Sequence, residues 1–574
     1  MYILNSLRSA GPRIAIILAV LASSQNIRAQ NTGWINPGTG DWFVNGNWNS
    51  GLPTALTSTS ISNGGTAQIL SGTAYSRFGY LGFEVNSSGR VAVDGAGSQW
   101  NISGASSLLE IGRSAGSSGN LTISNGGVVN VNSNGVYLGS DSASASGAIS
   151  ISGTGSQLNT THLRVGNQGA GSLSVSDGGT VNSSLAVTIG GESTAAGSVS
   201  LSGVGSSITA DQLRVGHNGA GTLGISQGAS ATSNGAYIGT FGSSRSAAVI
   251  SGNGSAWSVL QDLAYVGFST GTEGTLTLSD GGTFGVTNGT GTLYIGFSTG
   301  AQGTLNIGDY SGGSTAGTLN ANSVVANSGT GTINFNQTNA SSISQPVSGN
   351  MTVNQRGVGS TTFSGNNTYT GATAVSSGTL LVNGTNTVGN GTTGAYSVTG
   401  TGILGGNGTI NLSAVNLGVT VASGGALSPG ASGAGTLTLT LGTGVLDVSA
   451  AVSGSNAGAL KFELSSLLSS DKIALTNGGL NIGSGFLNFN DFLFTALVGF
   501  NDGSYTLIDT NSTITGTLGS SLSGIIGGKN ATIGLSGNGQ DLMLNVVPEP
   551  SIYALLALGA LAIFSAMRCR RANS

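Results

Sequence analysis

Two stretches of this chain are nearly the same. Residues 163–181 read LRVGNQGAGSLSVSDGGTV and residues 213–231 read LRVGHNGAGTLGISQGASA. Looser copies, LEIGRSAGSSGNLTISNGGVV and YVGFSTGTEGTLTLSDGGTF, occupy 109–129 and 265–284. A period of about fifty residues therefore governs the middle of the chain, and repeats of that length are a mark of stacked units. A finer period lies inside it. The pattern apolar-x-apolar-Gly recurs at Gly82, Gly112, Gly139, Gly166, Gly190, Gly216, Gly239, Gly267 and Gly296, at intervals of 23 to 30 residues. In a solenoid each such unit touches only its neighbours, which overrides the three or four globular domains that length alone would suggest.

Between these glycines apolar residues alternate with serines, as in Leu173 and Val175 or Val199 and Leu201. Period two means strands with one buried face. Glycines supply the corners, and few prolines interrupt the ladder. Because the repeat is a translation and not a reversal, such short strands pair with the next coil. The expected fold is therefore all-β, a parallel β-helix. Coils of roughly 25 residues between Tyr80 and Val546 would number about 18. A β-propeller is the alternative, but its blades need about four antiparallel strands each, with hairpin turns.

The chain has 574 residues, of which 102 are glycine, 7 proline and 6% charged, with a net charge of −4. Collagen is excluded because no G-X-Y period exists, and the alternating apolar residues argue against disorder. The 16 Lys and Arg are too thinly scattered for a nucleic-acid partner. One cysteine, Cys569, permits no internal disulfide and reads as a reduced thiol.

Residues 1–29 place basic, apolar and small-residue regions in the order of a secretory signal peptide, with cleavage expected between Ala29 and Gln30. The Sec translocon and signal peptidase are its partners. Residues 30–79 follow, with Trp34, Trp42 and Trp48 clustered in GWINPGTGDWFVNGNWNSGLP. Bulky aromatics suit the cap of an open first coil better than a sugar site, since terminal repeats are atypical. Residues 80–345 carry the double-coil repeat. In 346–459 the period changes, and FSGNNTYTGATAVSSGTLLVNG at 363–384 resembles the autotransporter-associated β-strand repeat, G-x-N-T-Y-T-G-x-T followed by S-G-T-L. SVTGTGILGGNGTI at 397–410 and GGALSPGASGAGTLTL at 424–439 look like coils of the same family. The resemblance implies a right-handed β-helix like an autotransporter passenger, and no catalytic residue. Residues 460–546 read as terminal coils with a cap or small β-sandwich.

The tail, 547–574, joins Pro548-Glu549-Pro550 to an apolar run at 551–567 and then to Arg568, Arg570 and Arg571. Seventeen residues reach the lower edge of a membrane span, about 17 to 25, and the basic residues place the end in the cytoplasm. The same three parts resemble the PEP-CTERM protein-sorting signal of Gram-negative bacteria. That resemblance implies recognition by an exosortase-type transpeptidase, with Pro548, Glu549 and Pro550 as the element recognised. It also implies passage through the inner membrane, a transient or permanent C-terminal anchor, and a final place at the cell surface or in the extracellular polysaccharide matrix.

Nothing in the sequence gathers the carboxylates that a polysaccharide-active β-helix would use. Asp177 and Asp280 occupy equivalent S-D-G-G turns about a hundred residues apart, where accepting backbone hydrogen bonds is their simpler role. His162 and His217 sit at different repeat positions, so neither metal nor cofactor is expected. One column stands out. The outward residue before each corner glycine reads Tyr80, Glu110, Tyr137, Arg164, Thr188, Arg214, Tyr237, Tyr265 and Tyr294. Aligned by stacking, its tyrosines and arginines form a candidate surface ligand column for an extended polysaccharide; the plainer reading is mutual stacking of strand aromatics. The expected function is a secreted, non-enzymatic structural or adhesive solenoid. Polysaccharide binding or degradation on the same scaffold is the alternative.

Overall fold

A computed structural model describes residues 31–242, 245–388, 395–414, 416–431, 433–453, 457–548 and 552–571; of 552–558 and 569–571 only the backbone is described. The expected signal peptide, with its Ala29–Gln30 junction, lies outside the described residues, as do Glu549 and Pro550. The fold is a parallel β-solenoid of about 15 turns. One compact unit holds the chain up to Val199 with Ser207–Thr209, and a second holds Ser200–Ser206 and everything from Ala210.

In the early turns of the first unit each turn contributes three short strands, two of which later merge, as in Gln157–Val165 and Thr180–Ile189. One turn is Phe78–Leu81, Ser88–Asp94 and Gln99–Ile102; the next is Leu108–Ile111, Ser118–Ser124 and Val128–Val131. Their pairing is parallel and in register, Tyr80 with Glu110, Val91 with Leu121, and Trp100 with Val129. Serine alternation makes this register unambiguous, because a slip of one residue would turn Leu121 and Ile123 outward. The apolar column Val91, Leu121, Ile149, Leu173 continues through successive turns, every member at most 2% exposed. Burying each such side chain stabilises the stack by about 1.5–3 kcal/mol.

The first turn is closed by the tryptophans. Trp34, Trp42 and Trp48 are buried, with Trp48 4.9 Å from Trp34 and 4.8 Å from Trp42 in edge-on contacts. Trp48 Nε1 donates to the Trp42 carbonyl at 2.7 Å, and Trp42 packs 5.3 Å from Trp100. The rings are thus spent on one another and on the core.

The second unit builds its turns the same way until the turn contracts. Gln302 pairs with Thr330, but Gly331 pairs with Met351 and Val353 with Thr373, so the turn shortens to 20 residues. There a separate parallel sheet begins, of seven strands: Ala340–Ile343, Ser360–Phe363, Thr379–Val382, Ile403–Gly406, Ala426–Pro429, Leu460–Leu464 and Phe492–Ala496. Later turns lengthen, with Thr436 paired to Lys472 and Leu460 to Phe492. Longer turns and a non-solenoid end account for about 15 turns where 25-residue coils would give about 18.

The parallel stack ends with Thr515–Leu518 and Gly503–Thr510, both paired to Lys472–Leu487. Gly503–Thr510 pairs antiparallel with Leu542–Val547, which pairs antiparallel with Lys529–Leu535, itself in a hairpin with Ser523–Ile526. Reversed strands end the repeat and cover an edge that would otherwise template another chain. A propeller is not favoured, because turn-to-turn pairing before this point is parallel.

The tail forms a helix, Ile552–Arg571. Among the described residues no helix is long and apolar enough to cross a membrane. The helix has 16 residues before Arg568.

Candidate functional site

The outward column is set by the corners. At Gly112 φ is +67°, and a Cβ there would lie 1.9 Å from the Ser146 carbonyl oxygen of the next turn. Only glycine lets two turns meet so closely at a left-handed residue. With corners fixed, the residues two places earlier align. In the first unit Tyr80, Glu110, Tyr137, Arg164 and Thr188 pair in succession. In the second, Tyr237, Tyr265 and Tyr294 pair in succession, and the Arg214 guanidinium lies 5.9 Å from the Tyr237 ring centre.

The two halves of the column differ chemically. In the first unit the charged groups satisfy one another. Glu110 is 6% exposed and accepts the Ser140 hydroxyl at 2.7 Å, while Arg113 Nε lies 3.5 Å from it and 2.7 Å from Asp141. Burial pushes the Glu110 carboxyl up, against the Ser140 hydrogen bond and the Arg113 charge. Burial also raises the Tyr80 phenol, and the Glu110 charge adds to it. Arg164 lies over Tyr137 at 5.4 Å, donates to Asn167 at 3.0 Å and approaches Glu192 at 3.8 Å.

In the second unit the column is aromatic. Tyr237, Tyr265 and Tyr294 stack at 5.3 Å with interplanar angles of 20° and 15°. A second column, absent from the sequence reading, runs beside them: Phe268 and Phe297 stack at 5.3 Å, and Phe241 meets Phe268 edge-on at 6.1 Å. Tyr265 touches Phe268 and Phe297 edge-on, both at 4.9 Å. His217 closes the row against Phe241 at 5.1 Å. The signal was present in the sequence as Tyr265-Val266-Gly267-Phe268 and Tyr294-Ile295-Gly296-Phe297.

This geometry limits what the column can hold. A sugar stacks on the face of an aromatic ring, and both faces of Tyr265 are taken up by Tyr237 and Tyr294. All three tyrosines are half-buried. Burial raises the Tyr265 phenol further above neutrality, followed by the neighbouring Tyr237 and Tyr294.

The acidic residues serve as struts. Asp280, at φ +51°, accepts the Thr315 amide at 3.1 Å and the Ser251 hydroxyl at 3.1 Å; Asp177, at φ +52°, accepts the Ser176 hydroxyl at 2.9 Å. Asp471 is buried and accepts the amides of Gly435 and Glu463, both at 2.7 Å. Burial nevertheless pushes its carboxyl up to about 6. Among the described residues no group of three or more His, Cys, Asp or Glu is placed to hold a metal ion.

At the other candidate site, Pro548 is exposed directly after Leu542–Val547, and Arg568 is exposed on the helix. The side chains of Arg570 and Arg571 lie outside the described residues. Comparison with known families gives two matches. Residues 348–382 match the passenger-associated-transport-repeat, and residues 546–571 match the PEP-CTERM protein-sorting motif. The first falls on the contracted turns and the second begins in the closing strand. No curated protein matches the chain.

Proposed function

We propose that this chain is an exported, non-enzymatic solenoid that its tail delivers to the cell surface or the extracellular polysaccharide matrix, where the shaft has a structural or adhesive role. The observation that carries the reading is the sorting motif at 546–571, which begins in the closing strand of a passenger-type solenoid. Such a motif indicates export and processing by an exosortase-type system. A non-enzymatic role is supported by the use made of the acidic groups: Asp141, Glu273, Asp502 and Asp509 pair with Arg113, Arg245, Lys529 and Lys472.

The test is the intact mass of the mature protein from a host with an active exosortase-type transpeptidase and from one with its nucleophile removed. The expected result is loss of the segment downstream of Pro548-Glu549-Pro550 only in the active host. An intact Arg570-Arg571 end in both hosts overturns the sorting reading. New reducing or unsaturated ends released from host exopolysaccharide by the purified protein would overturn the non-enzymatic one.

A further inference from the structure

Among the described residues, apolar side chains at the closing end of the second unit are left uncovered. Leu468 is 100% exposed and Val498 98%, and Leu467 is also exposed. They belong to two loops that are held together. Ser465 donates its hydroxyl to the Val498 carbonyl at 2.7 Å, and the Tyr505 hydroxyl donates to the Ser465 carbonyl at 3.1 Å. The loop tips are therefore fixed in place, and leaving leucine and valine in water there is costly without a partner.

Their position names the partner. The Leu467 side chain lies against Gly503, where an added Cβ would come within 2.8 Å of it. Gly503 pairs with Val546, so the loop tips sit at the end of the strand from which the chain departs for the tail. Val547 pairs with Asn530, and the neighbouring Lys529 is neutralised by Asp502 at 2.6 Å. From Val547 to Ile552 the chain advances five residues, which at about 3.6 Å per residue reaches no more than about 18 Å. The helix that follows exposes Leu561, Ile563, Phe564 and Met567.

We infer that Leu467, Leu468 and Val498 form a lipid-docking end, which rests on the bilayer interface beside the tail helix and holds the Pro548-Glu549-Pro550 segment at the membrane surface before processing. The inference rests on the sorting reading and adds a second membrane contact, made by the folded body. Apolar loop tips flanked by a neutral ion pair suit the acyl–headgroup boundary, where exposed apolar area is buried without burying charge.

The experiment uses the full chain carrying Cys569→Ser and single cysteines at Leu468→Cys, Val498→Cys, Leu561→Cys, Val204→Cys or Val358→Cys, each labelled with an environment-sensitive fluorophore. Val204 and Val358, 83% and 70% exposed, are shaft controls. Vesicles of phosphatidylethanolamine and phosphatidylglycerol with brominated acyl chains serve as the quencher. Docking predicts at least twofold quenching at 468, 498 and 561, and none at 204 or 358. Quenching at 561 without quenching at 468 and 498 overturns the docking end and leaves the sorting reading standing. Absence of quenching at 561 as well removes the membrane-held tail on which both depend. A spectral shift at 468 and 498 that grows with protein concentration in vesicle-free solution assigns the surface to a second copy and overturns the inference.

Discussion

The most exacting prediction concerns Asn334. It is buried, donates from Nδ2 to Asn306 Oδ1 at 2.9 Å, and accepts Asn354 Nδ2 at 2.9 Å; Asn306 in turn donates to Thr277 at 3.2 Å. Asn334→Ala strands one buried acceptor and one buried donor. Each stranded group costs about 1–3 kcal/mol, so the loss is about 2–6 kcal/mol. A water admitted to the gap would satisfy both groups and bring the loss to the lower end. The first unit supplies the control. Asn130 sits in a ladder of the same geometry, donating to Asn101 at 2.7 Å and accepting from Asn159 at 2.8 Å, but it is half-exposed. There water replaces both bonds, and Asn130→Ala should cost no more than about 1 kcal/mol. Because a solenoid opens locally, the readout is native-state amide exchange, not a global melt. Protection in Gln302–Ile307, Ser323–Phe335 and Val347–Gln355 should fall at least about 30-fold in Asn334→Ala, taking 1.4 kcal/mol per decade. Equal losses in the two variants, or less than about 1 kcal/mol at Asn334, would refute the argument that burial, and not bond number, sets the value of these ladders.

Three further outcomes follow from the same stacking. Gly267→Ala places a Cβ 2.2 Å from the Gln302 carbonyl oxygen at φ +73°; left-handed strain alone costs about 1–2 kcal/mol, and moving the next turn adds to it, whereas Gly285→Ala, with no atom within 4 Å, should leave local exchange unchanged. Tyr265→Ala removes ring contacts with Tyr237, Phe268, Tyr294 and Phe297 and should cost about 1–3 kcal/mol by denaturant-dependent exchange. Tyr265→Phe should be nearly neutral; an equal loss there would shift the credit from the ring to the hydroxyl. For Asp471 the folded value of about 6 exceeds the ordinary 3.8, so the folded state binds the proton more readily. Its contribution to stability is smallest above pH 6, grows as pH falls through 6, and is complete below 3.8, amounting to at most about 3 kcal/mol. The melting temperature of the native protein relative to Asp471→Asn should therefore rise between pH 7 and 4.5; a flat difference sinks the assignment.

The shaft was legible because its information is one-dimensional. Spacing between apolar-x-apolar-Gly motifs is the register itself: Tyr80 to Glu110 and Tyr237 to Tyr265 pair at the offsets that the glycines mark. What spacing could not carry was the fate of the outward parity. Asn306 lies between Leu305 and Ile307, and Asn334 between Ile333 and Phe335, so the period-two rule assigns both to solvent; both are buried. The same rule put Tyr265 outward, correctly, but gave no hint that its face would be taken up by Tyr237 and Tyr294. An outward residue in a solenoid has two neighbours of its own kind, one turn above and one below, and these compete with any ligand for it. The competition is won by the protein where rings or amides repeat, as at Tyr265 and Asn130, because the partner is already held at the right distance by the backbone. It is won by solvent or a partner where no like residue sits one turn away, as at Leu468 and Val498 in loops of the terminal turns and at Val204 and Val358 between strands of the repeats. Ligand-facing chemistry in this fold is therefore to be sought in the loops and corners whose residues find no like neighbour one turn away, and not in the strand columns that repeat.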